Sequence, residues 1–388
     1  MRCFEQSFEL VHASNVTYEP IHFIESNRET DIALAHLFDQ LTLRGVTFQN
    51  RVWVSPMCQY SANDGLISEW HRGHLMAFAT GAPGLVMAEA SGVVPEGRIS
   101  IGCPSLETDV KVDAFREIND FAHSLNVKMG IQLAHAGRKA STMRPWDDHR
   151  IASAEEGGWT PVSASALPYH GMLEPHALTV SEIKELVSQF AAAAKRCVHA
   201  GFDVVEIHAA HGYLLHQFYS PLSNERTDEY GGSFDNRVRF LLETVVAVRN
   251  AIPDSMPLFV RISASDWVPE GWTIEESIEL SKKMKELGVD IVDVSSGGNL
   301  HNAPIKAVPG FQVPFAEAIR AKAGIPTTAV GLITEAKQAD EIVSSGKADA
   351  VFLARAMIRN PRWAMAAAEE LGVKIDWPLQ FDRGRTLN

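Results

Sequence analysis

Two histidines, His208 and His211, stand three residues apart, and Tyr213 follows in the stretch His208-Ala209-Ala210-His211-Gly212-Tyr213. A neutral imidazole donates one hydrogen bond, so two of them converging on a carbonyl oxygen would polarise it, and a phenol beside them could then supply a proton. A metal is the lesser reading. Catalytic zinc takes three protein ligands, and Glu206, which shares the face of His208 deeper in its strand, makes no clear third; no metal is expected. On position alone, Tyr213 is as well explained as a packed loop tyrosine, half buried like many of its kind.

Arg261, in the apolar run VRISAS, must face a negative partner, because an unpaired cation in a buried strand is too costly. That partner is either a structural carboxylate or a ligand such as a flavin ring, which gains negative charge near N1 on reduction. The residue alone does not choose. Gly331 and Arg355 close two later apolar runs, where a glycine turn and a cation suit a phosphate, or merely a tight turn and a surface ion pair. Polar or small residues end the other runs too: Ser55-Pro56-Met57-Cys58-Gln59-Tyr60, Glu89-Ala90, Gln132 with His135 to Lys139, and Ser295-Ser296-Gly297-Gly298.

The elements that must position these groups alternate in type. Apolar, β-branched runs at 51–55, 85–89, 128–133, 203–207, 258–262, 291–295, 327–330 and 350–353 predict eight strands, and their near-continuous apolar character suits burial on both faces. Three- and four-residue spacing predicts helices over 181–200, 112–125, 237–251, 274–287, 314–323, 335–344 and 361–371, with Gly201 and Gly288 as C-terminal stops. Eight βα units predict a single closed (β/α)₈ barrel, whose reactive groups belong at the C-terminal strand ends. An open doubly wound sheet is the rival, but SPMCQY follows the first strand where a dinucleotide fold has a glycine-rich turn. Residues 141–178, rich in Pro, Gly and Trp, read as a lid inserted after strand three. Residues 1–35 read as an N-terminal extension, and 36–388 as the barrel with its tail.

The formal charge of −13 works against a nucleic-acid partner, whose phosphates demand Lys and Arg. Four cysteines without a CxxC pair suggest neither a disulfide framework nor an iron–sulfur site. No apolar run is long enough for a membrane span, and Glu5 and Glu9 interrupt any signal-peptide core, so a soluble cytoplasmic protein is expected.

Taken together, SPMCQY, GIQLAHAGRK and GFDVVEIHAAHGYLLHQFYSPLSNERTDEYGGSFDNRVRFLLE closely resemble the Old Yellow Enzyme family of FMN-dependent ene-reductases. The cysteine of SPMCQY and the arginine-bearing tail resemble its thermophilic-like subgroup. The likeness covers roughly residues 37–383. It implies FMN as cofactor, NADPH or NADH as hydride donor, and an enone or nitroalkene as substrate. It implies that Gln132 meets the flavin pyrimidine edge and Arg261 lies beside N1. Ser55, Pro56, Met57, Cys58, Ala90 and Gly298 would line the ring system, while Gly331, Ala354 and Arg355 would hold the phosphate. His208 and His211 would anchor the substrate oxygen and Tyr213 would donate the proton, with Tyr60, Lys139 and Trp267 in the outer pocket. Arg383 would reach a neighbouring subunit's site, implying a homodimer or homotetramer. Two positions depart from the family pattern: Ala354 stands where glycine is common, and Trp267 where relatives often carry tyrosine.

Overall fold

A computed structural model describes residues 36–148 and 150–385; the expected N-terminal extension lies outside the described residues. Eight parallel strands close into a barrel in chain order: β1 (Val52–Val54), β2 (Leu85–Gly92), β3 (Lys128–Ala134), β4 (Val204–Ala209), β5 (Leu258–Ser263), β6 (Ile291–Ser295), β7 (Thr327–Ala329) and β8 (Ala350–Leu353). The (β/α)₈ expectation holds, with strand boundaries shifted by at most a few residues.

Two-residue alternation divides each strand between two cores. On β4, Val205 and Ile207 point outward and join the apolar layer under the helices. Val204 points inward, as do Glu206 and His208 at successive levels toward the C-terminal mouth. The outer layer includes the long helix Val180–His199, which begins at a capping box: the Thr179 hydroxyl accepts from the Glu182 N–H, and the Glu182 carboxylate accepts from the Thr179 N–H at 2.7 Å. The expected helix over 112–125 is two pieces, Asp109–Asp113 and Arg116–Ser124. Val112, Phe115, Ile118 and Ala122 are all buried, so the apolar spacing runs straight through the break and reads as one helix.

The N-terminal end of the barrel is sealed by an element that the sequence reading lacked. A hairpin of Leu41–Leu43 and Val46–Phe48 lays Phe48 against Trp53, ring centroids 4.8 Å apart, and Trp53 stacks on Phe259 at 5.6 Å. Leu43, Phe48, Trp53, Phe259 and Phe352 form one buried apolar floor. At the opposite end, residues 141–178 carry little regular structure beyond the paired Val162–Ser163 and His176–Ala177. Side chains fasten this segment over the mouth: Arg138 donates to the Leu167 carbonyl at 3.2 Å, and the Trp159 indole donates to the Glu96 carbonyl at 2.8 Å.

Candidate active site

His208 lies one residue before the end of β4, and His211 and Tyr213 follow in its exit loop. The His208 and His211 rings stand nearly perpendicular with centroids 5.1 Å apart, and Tyr213 stands perpendicular to His208 at 5.0 Å. The Ala210 N–H donates to His208 Nδ1 at 3.3 Å, which leaves the proton on Nε2 as a free donor. His211 is fixed at two points: its N–H donates to Ser263 Oγ at 2.8 Å, and its Nε2 lies 2.7 Å from Ser295 Oγ. Gln312 Oε1 accepts from both Ser296 Oγ, at 2.6 Å, and Ser295 Oγ, at 3.3 Å; a Ser295 hydroxyl turned instead to His211 Nε2 would leave Gln312 to Ser296. In that arrangement His211 carries its proton on Nδ1. Burial first, and then the Arg261 and Lys139 charges, hold both imidazoles well below the usual histidine range, so both are neutral at pH 7. Burial likewise raises the Tyr213 phenol, which keeps its proton.

The close approach of two loops shapes this corner. Gly298 has φ +93°, and a Cβ there would lie 2.6 Å from the His211 backbone; one on Gly212, φ +71°, would lie 2.3 Å from the Gly298 carbonyl. Lys139 ties the same loops, donating to the carbonyls of His211 at 2.8 Å and Gly298 at 2.9 Å. Its ammonium also sits 4.7 Å from the Tyr169 ring centroid and 5.1 Å from that of Tyr213. Burial, followed by the Arg138 charge, pushes Lys139 down to about 8.

Below the histidines the barrel carries a polar layer. Gln132 and Glu206 are register partners on β3 and β4, as are Arg261 and Asp293 on β5 and β6, and Asp293 and Thr328 on β6 and β7. The Gln132 amide donates to Glu206 at 2.7 Å, Arg261 Nε lies 3.0 Å from Asp293, and the Thr328 hydroxyl donates to Asp293 at 2.7 Å. Of the two partners expected for Arg261, the structural carboxylate is present as this ion pair. Two buried carboxylates feel the charge of one guanidinium here, which pairs with Asp293. Burial, then repulsion from Asp293, raises Glu206 to about 8, and burial raises Asp293 as well.

Beside the ends of β7 and β8 lies a cavity of about 330 Å³ lined by Ser295, Gly331, Ala354, Arg355 and Arg359. Gly331 is required there: its φ is +118°, and a Cβ would meet the Gln312 side chain at 2.9 Å. The expected phosphate residues are thus brought together, with Arg359 added.

The exit of β1 brings Ser55, Pro56, Met57, Cys58 and Tyr60 along the mouth, and Ala90 on β2 packs in one apolar cluster with Cys58, Tyr60, Cys103 and Tyr213. Ser55 Oγ is buried with no hydrogen-bond partner among the described residues. Tyr60 meets Trp146 of the insertion edge to face at 6.2 Å. A register shift between Ala88 and Ala90 on β2 throws Glu89 out of the ladder. Its carboxylate accepts from the Gln59 N–H at 3.0 Å and lies 3.1 Å from Nε2 of buried His71.

Two expected positions sit apart from the histidines. Trp267 packs on Phe311 and Phe315 at 6.3 and 5.3 Å. Arg383, in the exposed turn Leu379–Gly384, is not brought to this chain's own mouth; the tail before it lines a groove with Ala79, Ala82 and Asn126. Residues that the sequence did not single out are Glu206 and Asp293 as a pair, Ser263, Gln312, His71, Cys103 and Arg359. The charged residues had a visible signal, an acid embedded in the apolar runs VVEIHA and IVDVSS. The hydroxyl and amide partners had none.

Among the described residues no helix is long and apolar enough to cross a membrane. Residues 36–373 match the family described as NADH:flavin oxidoreductase / NADH oxidase. An NADPH dehydrogenase of Geobacillus thermodenitrificans is 48% identical over 351 residues, covering 90% of this chain and 98% of the relative. Among solved structures, morphinone reductase in complex with tetrahydroNAD superposes with a TM-score of 0.72 at 26% identity, covering 88% of this chain and 92% of that one. The Old Yellow Enzyme homologue from Zymomonas mobilis gives a TM-score of 0.72 at 26% identity, with 89% and 95% covered.

Proposed function

Because this chain belongs to the NADH:flavin oxidoreductase / NADH oxidase family, and is therefore an FMN-dependent oxidoreductase served by a nicotinamide donor, we propose that it reduces activated carbon–carbon double bonds. The substrates are α,β-unsaturated carbonyl or nitro compounds. The residues present suit FMN. The unpartnered Ser55 hydroxyl and the amide of Gln132 offer polar contacts to a flat heterocycle, Arg261 offers a charge, and the cavity at Gly331, Ala354, Arg355 and Arg359 offers cations to a phosphate. Pro56, Met57, Cys58, Ala90 and Gly298 would complete its walls. When bound, FMN supplies the hydride that it has taken from NADPH or NADH.

The chain's own contribution is carried by one observation: two imidazole rings and a phenol ring meet at the mouth, where burial favours the neutral form of all three. His208 and His211 bind the substrate oxygen, and their hydrogen bonds strengthen as that oxygen gains charge. Tyr213 gives its proton to the α carbon. Lys139 holds the two loops that present these donors, and Tyr60 and Trp267 border the outer pocket. Arg383 serves the site of a neighbouring subunit in a homodimer or homotetramer. Residues 36–388 form the working barrel, which acts in the cytoplasm.

The test is steady-state oxidation of NADPH with 2-cyclohexenone, beside titration of p-hydroxybenzaldehyde into the yellow protein. We expect turnover in the wild type, and in His208→Ala a phenol affinity weaker by about tenfold, the effect of losing one hydrogen bond to a charged oxygen, with FMN still bound. Absence of enone reduction overturns the assignment. Equal phenol affinity in the variant removes the anchor role from His208.

A further inference from the structure

Cys58 on the exit of β1 and Cys103 on the exit of β2 come from segments remote in sequence, yet their sulfur atoms and a carboxylate oxygen of Glu89 all lie within 4.8 Å of one another. The juxtaposition is built by the backbone. The Ala62 N–H donates to the Gly102 carbonyl at 2.8 Å, which clamps the two loops together. Gly102 has no side chain at the point of contact, where a Cβ would lie 2.4 Å from the Tyr60 carbonyl. On the far side, the Gly102 and Cys103 N–H groups donate to the Ser100 hydroxyl at 3.2 Å and the Ser100 carbonyl at 3.0 Å. Cys103 is fully enclosed, whereas Cys58 is partly exposed at the mouth. Cys197, the remaining described cysteine, is buried on the helix Val180–His199.

We propose that Cys58 and Cys103 are a redox pair, which a peroxide converts to a disulfide linking the β1 and β2 exits and so switches the mouth off. The exposed sulfur reacts first. Cys58, as its thiolate, attacks one peroxide oxygen; the O–O bond breaks, hydroxide leaves and is protonated to water, and Cys58 becomes a sulfenic acid. The Cys103 sulfur then attacks that of Cys58, the S–O bond breaks, the S–S bond forms, and the second water departs with the thiol proton of Cys103. The two thiols together lose two electrons and two protons, and the peroxide becomes two waters. A dithiol reductant reverses the step by exchange. The hydrogen bond to Cys103, burial and the charge of Glu89 all push the Cys58 thiol up, so the conversion is slow and answers sustained oxidant rather than brief exposure.

Formation of the disulfide stands on the thiol geometry alone; only its effect on turnover rests on the flavin reading. The test treats the intact yellow protein with hydrogen peroxide, blocks free thiols under denaturing conditions, and maps peptides by mass. A peptide joining Cys58 to Cys103, lighter by two hydrogens and absent after dithiothreitol, supports the proposal, as does its persistence in Cys197→Ala. In Cys103→Ala and Cys103→Ser the cross-link should vanish and dimedone should trap a sulfenic acid on Cys58. Wild-type protein that carries a sulfinic acid on Cys58, or joins Cys58 to another cysteine, overturns it. NADPH-dependent turnover should fall with cross-linking and return with dithiothreitol; unchanged turnover in fully cross-linked protein overturns the switch. A protein without enone activity would still form or fail to form the link, so the two readings fail separately.

Discussion

Glu206 is a carboxylate in the barrel interior with one oxygen that no hydrogen-bond donor reaches among the described residues. It is fully buried and repelled by Asp293, while the guanidinium of Arg261 pairs with Asp293 and reaches Glu206 only as a charge. Its carboxyl titrates at about 8 in the folded protein, whereas an unfolded glutamate ionises near ~4.3, so between those values the native state binds the extra proton. Stability from this group is therefore complete below the unfolded value and is lost as pH rises toward 8. His135, lowered to about 4 by burial, acts oppositely, but its contribution ends near the ordinary histidine range. From pH ~6.5 to 8, flavin-free wild type should lose up to about 1.4 kcal/mol per pH unit relative to Glu206→Gln. Urea melts across that interval decide it, and parallel pH dependence in the two proteins would show that Glu206 is ionised throughout.

Among the elements, the loop after β6 matters for where it places the loop after β4. Gly298→Ala would set a methyl group against the His211 backbone at a φ that alanine resists. The expected cost is about 1–3 kcal/mol in stability, with phenol binding weakened by displacement of His211 and FMN retained. Thermal melts and phenol titration check both, and unaltered phenol binding would mean that the loops adjust independently. The elements also mark what was legible in the sequence. Strands buried on both faces announce themselves as unbroken apolar runs, and because chain order equals ring order, the barrel followed from counting them. The hairpin of Leu41–Phe48 escaped because each of its strands is three residues long with a single buried position, too short a pattern to separate from loop. His208, His211 and Tyr213 were readable as a local motif. The meeting of Cys58 with Cys103 was not, since it depends on how the irregular exits of the neighbouring strands β1 and β2 fold back on each other at the absent side chain of Gly102.

At the scale of the whole molecule, adhesion and chemistry occupy opposite ends of one cylinder. The aromatic floor holds Phe48, Trp53 and Phe259 together, while the donors stand at the other rim with the polar layer between. Phe48→Ala should therefore lower stability by about 3–5 kcal/mol, the usual cost of deleting a buried aromatic ring, while the surviving folded fraction keeps its KM for enone. Denaturant titration and steady-state kinetics on the same preparation test the separation; a KM that moves with stability would show that the ends are mechanically linked.

The floor also sets a timetable for biogenesis. Leu43 and Phe48 leave the ribosome early, but their companion Phe352 lies on the last strand, and β1 gains its second neighbour only when Val351–Leu353 pairs with Val52–Val54. A nascent chain halted before β8 would display Trp53 and Phe48 to water on an open edge, which is where a holdase chaperone would find its grip.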